Sequence, residues 1–97
     1  MIQTVVKRDG RIVGYNEEKI KAAIRKAMLT TDAGEDETLV QRITDRIGMT
    51  GNERMTVEEI QDKVEMELMK SARKDVAKRY IAYRDKRSIA RRAKTRD

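Results

Sequence analysis

The stretch VVKRDGRIVGYNEEKIKAAIRKA, residues 5–27, contains the signals that decide the fold of this chain. Within it, Asp9-Gly10 lies between two short runs, 2–7 and 11–15, in which apolar and polar residues alternate. Asp-Gly between two such runs is the strongest short-range signal for a β-hairpin, because both central positions of a type I′ turn need positive φ. The stretch therefore predicts two antiparallel strands joined by a two-residue turn.

The two-residue turn fixes the predicted register of this hairpin. The facing pairs are Arg8 with Arg11, Lys7 with Ile12, Val6 with Val13, and Val5 with Gly14. Because side chains alternate across the pleat, one face carries Val6 and Val13. The opposite face carries Val5, Lys7, Ile12 and Gly14.

A helix follows the hairpin directly. Asn16 is a good N-cap, and the apolar residues after it recur at the spacing i, i+3, i+4, i+7, i+8, which is typical of an amphipathic helix. These residues are Ile20, Ala23, Ile24, Ala27 and Met28. Lys19 then occupies the third helical position, where the positive end of the helix dipole disfavours a cation.

Three more helices are predicted downstream. The second carries Leu39, Val40, Ile43 and Ile47 and ends at Gly48, and a short third strand is expected near Arg54 and Met55. Thr56 and Glu59 form a capping box that starts the third helix. Its apolar stripe is predicted to carry Ile60, Val64, Leu68 and Ala72. A break between Ser71 and Asp75 separates it from the fourth helix, which Asp75 is expected to cap.

The composition favours a small helix-rich domain. The chain has 97 residues, enough for one domain, with 41% charged residues, no proline, no cysteine and no histidine. The last two absences exclude disulfides, zinc–thiolate sites and a histidine general base, and no catalytic constellation is found. The sequence shows neither a signal-peptide pattern nor an apolar run of the ~20 residues that span a bilayer, so we expect a cytoplasmic protein.

These signals together predict an α+β, mostly α, domain. Four amphipathic helices with short connections favour a bundle, and the hairpin buries its apolar face by covering one end of that bundle. The predicted organisation is a single domain, 1–97, with a β-hairpin cap at 1–15, a four-helix bundle at 16–90 and a basic tail or linker at 91–97.

Three cations near the turn and the first helix indicate an anion site. Lys7, Arg8 and Lys19 combine with the free N–H groups of a helix N-terminus, an arrangement suited to phosphate. Alternatively, Glu17 and Glu18 pair with these cations at the surface and nothing binds. The residues alone leave both interpretations open.

The predicted Lys7 face of the hairpin also has the features of a nucleobase pocket. Val5 and Ile12 supply aliphatic walls, and Gly14 has no side chain. Apolar residues on a hairpin face more often simply pack on helices, and Thr56 already has a structural task as a helix cap.

A separate alternative comes from the net charge of the chain, which is +6. Residues 86–97 account for +5 of this charge, and such a basic segment suggests a nucleic-acid-binding tail.

The opening stretch resembles the ATP-cone family, the regulatory nucleotide-binding module of ribonucleotide reductases and of the repressor that controls their genes. MTVEEIQDKVE, residues 55–65, resembles the third helix of that family, and VAKRYIAYRDKR, residues 76–87, resembles its last helix. The resemblance spans essentially the whole chain. It implies a four-helix bundle capped by a small three-stranded β-sheet, with ATP or dATP bound beneath the cap and accompanied by Mg²⁺ that phosphates and water hold.

The resemblance also implies a set of nucleotide-binding residues. Their counterparts here are Val5, Lys7, Arg8, Asn16, Lys19, Thr56, and either Lys86 or Arg87. Lys7, Arg8 and Lys19 are expected to form a triphosphate clamp, and Thr56 is expected to contact adenine.

The implied function is allosteric control of a ribonucleotide reductase, without catalysis by this chain. The implied partners are the nucleotide effector, the catalytic domain of the parent reductase and a second cone, with no membrane and no nucleic acid. The YIAYRDKR helix favours the anaerobic ribonucleoside-triphosphate reductase as that parent. The alternatives are a basic nucleic-acid-binding module and the cone of the reductase-gene repressor.

Overall fold

A computed structural model describes the backbone of residues 1–95 and the side chains of residues 1–86. The elements in chain order are β1 (Thr4–Val6), β2 (Ile12–Gly14), α1 (Glu17–Leu29), α2 (Glu37–Thr50), β3 (Arg54–Thr56), α3 (Val57–Lys70) and α4 (Lys74–Thr95). The predicted fold class, four helices with a three-stranded sheet, is confirmed.

The four helices form a closed bundle. Helix α1 packs against α2 and α4, and α3 packs against the same two neighbours. Because the connections between successive helices are short, the chain runs up and down the bundle. The buried apolar residues form a single cluster: Ile2, Ile20, Ile24, Ala27, Met28, Leu39, Val40, Ile43, Ile47, Met55, Ile60, Val64, Leu68, Val76, Ala77 and Tyr80.

The bundle has two different ends. The sheet end is where β1, β2 and β3 meet the N-termini of α1 and α3, with strand order β2-β1-β3. The loop end consists of the α1–α2 loop, residues 30–36, and the α3–α4 junction, residues 71–73. None of the described helices is long and apolar enough to cross a membrane.

The predicted hairpin register is wrong by one residue. Strand β1 pairs with β2 through Thr4 with Gly14, Val5 with Val13, and Val6 with Ile12. The loop has three residues, 8–10, closed by the Lys7 N–H donating to the Arg11 carbonyl at 2.7 Å and the Gly10 N–H donating to the Lys7 carbonyl at 2.9 Å. Only Gly10 has positive φ in this loop, at 91°, so the turn is not type I′.

The side chain of Asp9 accounts for this choice of turn. Its carboxylate accepts the Arg11 backbone N–H at 3.1 Å and the Arg11 Nε–H at 2.7 Å. The first of these bonds is the main reason that the pKa of Asp9 lies below its usual value. An aspartate that bonds the backbone two residues on forms a local turn without positive φ of its own.

The corrected register changes the predicted faces of the sheet. Val5 pairs with Val13 on one side and with Met55 of the parallel strand β3 on the other. Met55 is buried and Val5 packs against the core, so this face covers the bundle. Val6 and Ile12 share the opposite face, where Ile12 is 52% exposed.

The helix starts follow the predicted caps at Asn16 and Thr56. Asn16 Oδ1 accepts the Glu18 N–H at 3.0 Å. The capping box is present, with the Glu59 N–H donating to Thr56 Oγ1 at 3.1 Å and the Thr56 N–H donating to Glu59 Oε1 at 2.9 Å.

Two predicted helix boundaries are wrong. Helix α2 continues past Gly48 to Thr50, because the glycine that ends it is Gly51. Helix α4 begins at Lys74, so Asp75 lies inside its first turn and binds Arg73 instead of capping. The side chains of the predicted basic tail, 91–97, lie outside the described residues, and the division of the domain at residue 90 stays a prediction.

Candidate functional site

A polar cleft of about 310 Å³ lies at the sheet end of the bundle. Its lining comes from three elements, namely the hairpin turn, the first nine residues of α3 and the middle of α4. The lining residues are Arg8, Glu58, Glu65, Arg84 and Asp85. We call this the Arg8–Arg84 cleft. Its volume lies at the lower limit of small-molecule sites in proteins, which is roughly 300 Å³.

Strand pairing positions Arg8 in this cleft. Val6 is the parallel partner of Thr56, the residue that caps α3. Two residues beyond Val6, the Arg8 side chain therefore reaches the first turns of α3. Its Nε lies 3.0 Å from Glu58 Oε1, and its Nη2 donates to Gln61 Oε1 at 3.1 Å.

Arg84 forms the α4 side of the cleft. It lies seven residues after Ala77 and four after Tyr80, on the stripe of α4 that faces the core. Its Nη1 is 2.7 Å from Asp62 Oδ1 and 3.3 Å from Glu65 Oε1. Burial lowers the pKa of Arg84, but the hydrogen bonds and charges of these two carboxylates outweigh burial and raise it.

Carboxylates neutralise both guanidinium groups of the cleft. The lining contains two cations and three carboxylates, and each arginine already contacts at least one acidic side chain. Guanidinium groups bind phosphate through paired N–H donors, so the cleft has the donors that a phosphate needs. It is not, however, the uncompensated cationic pocket that the sequence suggests.

The fold brings together four of the predicted site residues. Val5, Lys7 and Arg8 are consecutive or nearly so along β1 and its turn, and Thr56 is beside them because β3 is parallel to β1. Thr56 is engaged in the capping box. Lys86 is exposed on α4, next to the lining residue Asp85. Arg87 lies outside the described side chains.

The first turn of α1 stands apart from this group. Asn16 and Lys19 follow Gly14, which pairs with Thr4 at the end of the hairpin that is farthest from the turn. No described contact joins either residue to the lining of the cleft. Asn16 caps α1, and Lys19 is exposed.

The acidic residues of the first turn of α1 do not neutralise the predicted clamp. Glu17 and Glu18 approach Lys21 instead, at 3.7 and 3.6 Å. Arg8 finds its carboxylate on α3, and among the described side chains Lys7 and Lys19 form no ion pair. The alternative in which Glu17 and Glu18 pair with the three predicted cations is therefore wrong, because both glutamates pair with Lys21.

Sequence reasoning missed the residues that line the α3 and α4 walls. Arg84 carried a signal, because an arginine on the apolar stripe of α4 must be partly buried and therefore needs an acidic partner. No pattern in the single sequence indicates that Glu58, Gln61 and Glu65 line a site. Their placement depends on the parallel pairing of β3 with β1, which joins segments about 50 residues apart.

The cleft does not form a metal site from protein groups. Within the described residues, no group of three or more acidic, histidine or cysteine side chains could hold a metal ion. Glu58 and Glu65 are both bound to arginines. A magnesium ion at this cleft would therefore be held by phosphate oxygens and water, as Mg²⁺ commonly is with nucleotides.

Comparison with known proteins points to one family. The family model for the ATP cone domain matches residues 3–89. The chain is 45% identical over 102 residues to the vitamin B12-dependent ribonucleoside-diphosphate reductase of Thermoplasma acidophilum, with 97% of this chain and 13% of that protein aligned.

Two further relatives carry different reductase names. The chain is 38% identical to the ribonucleoside-diphosphate reductase subunit alpha of Chlamydia pneumoniae, with 99% of this chain and 10% of that protein aligned. It is 37% identical to the anaerobic ribonucleoside-triphosphate reductase of Escherichia coli, with 94% and 13% aligned. The chain thus spans 10 to 13% of the length of these relatives.

Proposed function

Because the chain belongs to the ATP-cone family, whose members are allosteric ATP- and dATP-binding domains of ribonucleotide reductases, we propose that it binds its effector at the Arg8–Arg84 cleft. The observation that carries the proposal is the convergence of two guanidinium groups, from the hairpin turn and from α4, on one cleft. The hairpin turn is also where the opening stretch resembles the family.

The proposed roles combine the positions of the described side chains with the roles that the family resemblance implies. Arg8 and Lys7 bind phosphates, with Lys86 or Arg87 reaching them from α4. Val5 and Thr56 are proposed to contact the base, although Val5 pairs with Met55 and Thr56 is the parallel partner of Val6. Asn16 and Lys19 stand apart from the lining of the cleft, and their proposed contribution comes from the first turn of α1. Lys19 sits at a position where the helix dipole favours an anion, so a nearby phosphate would relieve an unfavourable charge.

Magnesium is part of the proposal only through the nucleotide. When bound, it neutralises phosphate charge in a cleft whose own lining carries three carboxylates. The protein contribution is to hold the phosphates with guanidinium and ammonium groups and with backbone N–H donors.

The parent protein is proposed to be a ribonucleotide reductase whose activity the bound nucleotide controls. The relatives include an anaerobic triphosphate reductase, which we favour from the last helix, although the B12-dependent diphosphate reductase has the higher identity. ATP and dATP differ by one hydroxyl, so they regulate by stabilising different arrangements of the cone with its catalytic domain or with a second cone. The proposal includes a cytoplasmic location, where both nucleotides are available.

Calorimetric titration of the 97-residue chain with ATP and with dATP tests this proposal. We expect Arg8→Ala to weaken binding of both nucleotides by about ten- to a hundredfold, the value of hydrogen bonds to a charged group. Arg54→Ala is the matched control, because it removes the same charge from an exposed position on β3. Absence of binding by the wild-type chain, or equal losses in the two variants, would contradict the proposal.

A further inference from the structure

Arg8 is already bound to α3 on one edge of its guanidinium group. Nε faces Glu58 Oε1 at 3.0 Å, and Nη2 donates to Gln61 Oε1 at 3.1 Å. These two atoms form the side edge of the planar fork, the edge that commonly receives a carboxylate or phosphate in a bidentate contact. Glu58 and Gln61 therefore occupy the place that a phosphate oxygen pair would take.

The remaining edge of Arg8 does not offer an anion an equivalent site. A phosphate bound there would stand close to the Glu58 carboxylate, since both would contact one guanidinium group. Like charges at such a separation repel, and the lining already contains more carboxylates than cations. Glu58 therefore weakens anion binding at Arg8 in both cases. It competes directly for the Nε–Nη2 edge, and its charge repels an anion bound at the remaining edge.

The Arg8–Glu58 pair is the more easily opened of the two arginine contacts in the cleft. The Arg8 side chain is 26% exposed and Glu58 is 46% exposed. Arg84 has two carboxylate partners, Asp62 and Glu65, and also lies 3.5 Å from the Glu58 carbonyl. Exchange of partners is therefore expected at Arg8, while Arg84 keeps α4 attached to α3.

We infer that Glu58 is a built-in competitor of the phosphate at Arg8, so that effector binding exchanges a carboxylate for a phosphate and releases the hairpin turn from α3. The inference rests on the proposed function and adds its regulation. The unliganded domain holds its hairpin on α3 through an ion pair, and the bound domain holds it through the nucleotide. Breaking the Arg8–Glu58 ion pair costs free energy, and this cost lowers the affinity for the effector.

Glu58→Gln tests the inference because it keeps the shape and removes the charge. We expect the variant to bind ATP and inorganic tripolyphosphate about two- to fivefold more tightly than the wild-type chain in calorimetry, the scale of a partly exposed ion pair. Glu53→Gln is the control. It makes the same change of net charge at an exposed side chain away from the cleft, and we expect a smaller effect.

A second variant and a spectroscopic measurement guard against a folding artefact. Gln61→Ala removes the neutral partner of Arg8 and is expected to tighten binding in the same direction, by less. In the wild-type chain, the ¹³C resonance of the Glu58 carboxyl carbon should move on saturation with ATP towards its position in Arg8→Ala. A resonance that stays in place would overturn the exchange.

The outcomes separate this inference from the proposed function. If the wild-type chain binds ATP but Glu58→Gln binds no more tightly than Glu53→Gln, the competitor role of Glu58 is wrong and the nucleotide site stands. If the wild-type chain binds neither ATP nor tripolyphosphate, the proposed function fails and this inference fails with it.

Discussion

An arginine links separate segments of the chain at each end of the bundle, but the two arginines have different kinds of partner. At the loop end, Arg73 donates from Nη2 to Thr31 Oγ1 at 3.0 Å and to the Gly34 carbonyl at 2.9 Å. Its Nε lies 3.1 Å from Asp75 Oδ1. At the sheet end, the described side-chain contacts of Arg8 are with the side chains of Glu58 and Gln61 on α3, beside an open cleft.

This difference separates a structural arginine from one available to a ligand. A backbone carbonyl cannot leave without unfolding its loop, so the Arg73 contacts persist as long as the α1–α2 loop is folded. A glutamate side chain can rotate away at little cost, so the Arg8 contacts are exchangeable. We therefore expect changes at the loop end to alter stability, and changes at the cleft to alter nucleotide affinity.

The largest expected effect comes from the core near the loop end. Leu68 is fully buried in α3, and Leu68→Ala should lower the free energy of unfolding by about 2 to 5 kcal/mol, through lost burial and the cavity that remains. Met69, the next residue, is 50% exposed and serves as the control. Urea denaturation measures both. A loss for Met69→Ala as large as that for Leu68→Ala would contradict the described packing.

A glycine pair tests how tightly the inner layer of the sheet end is packed. A Cβ on Gly51 would overlap the Ile2 side chain and lie 2.8 Å from Met55 Sδ, so Gly51→Ala should cost about 1 to 3 kcal/mol. A Cβ on Gly48 would meet only Tyr15 at an ordinary 3.6 Å. Gly48→Ala should therefore stabilise the helix by about 0.5 to 1 kcal/mol.

Thermal or urea unfolding measures the change in stability of Gly51→Ala and of Gly48→Ala. Opposite signs are expected although the positions are only three residues apart. If both variants were stabilised, the described close packing of Gly51 against Ile2 and Met55 would be wrong.

Crossed measurements on the two arginines test the comparison directly. Arg73→Ala should lower stability by about 1 to 2 kcal/mol, because it leaves the Gly34 carbonyl and the Thr31 hydroxyl without their donor. It should leave ATP affinity unchanged. Arg8→Ala should change stability by less than about 1 kcal/mol, as for other partly exposed ion pairs, while it weakens ATP binding. Equal effects of the two variants on affinity would show that the ends are not independent.

Much of the architecture could be predicted from local signals. The caps at Asn16 and Thr56 act within a few residues and are confirmed. The apolar stripe of α3 is confirmed at Ile60, Val64 and Leu68. The prediction is wrong at Ala72, which is exposed and lies beyond the end of α3 at Lys70. The hairpin was predicted from Asp9-Gly10, but its register was not. The same dipeptide fits a two-residue turn with positive φ at both positions and a three-residue loop with positive φ at Gly10 alone. The bond from Asp9 to Arg11 selects the second.

The candidate site was harder to predict because its walls are far apart in sequence. Arg8 stood out as a cation at a turn, yet its partners Glu58 and Gln61 are on a helix that only the pairing of β1 with β3 brings near. Three-residue strands such as β3 carry too few alternating positions to specify a partner. The sequence left open whether the predicted cations pair with acidic residues, and the structure shows that Arg8 pairs with Glu58 of α3.

The smallest expected effect lies in the capping box beside the cleft. The Glu59 carboxylate accepts the Thr56 backbone N–H at 2.9 Å, and this bond, followed by the contact with the Thr56 side chain, holds the pKa of Glu59 below its ordinary 4.5. A carboxyl with a lowered pKa in the folded state stabilises the fold above its unfolded pKa, and this contribution is lost as the pH falls through the folded value. Glu59→Gln should therefore lower Tm at pH 7, and the difference from wild type should shrink as the pH falls below the ordinary value of 4.5.

Glu53→Gln provides the baseline for this measurement, because no hydrogen bond to the exposed Glu53 side chain is present among the described residues. A Tm difference near zero for Glu59→Gln at every pH measured would mean that the side-chain amide replaces the carboxylate fully and that its charge adds nothing. The hydrogen bond from the Thr56 N–H to the side chain at position 59, and not the charge of that side chain, would then stabilise the start of α3.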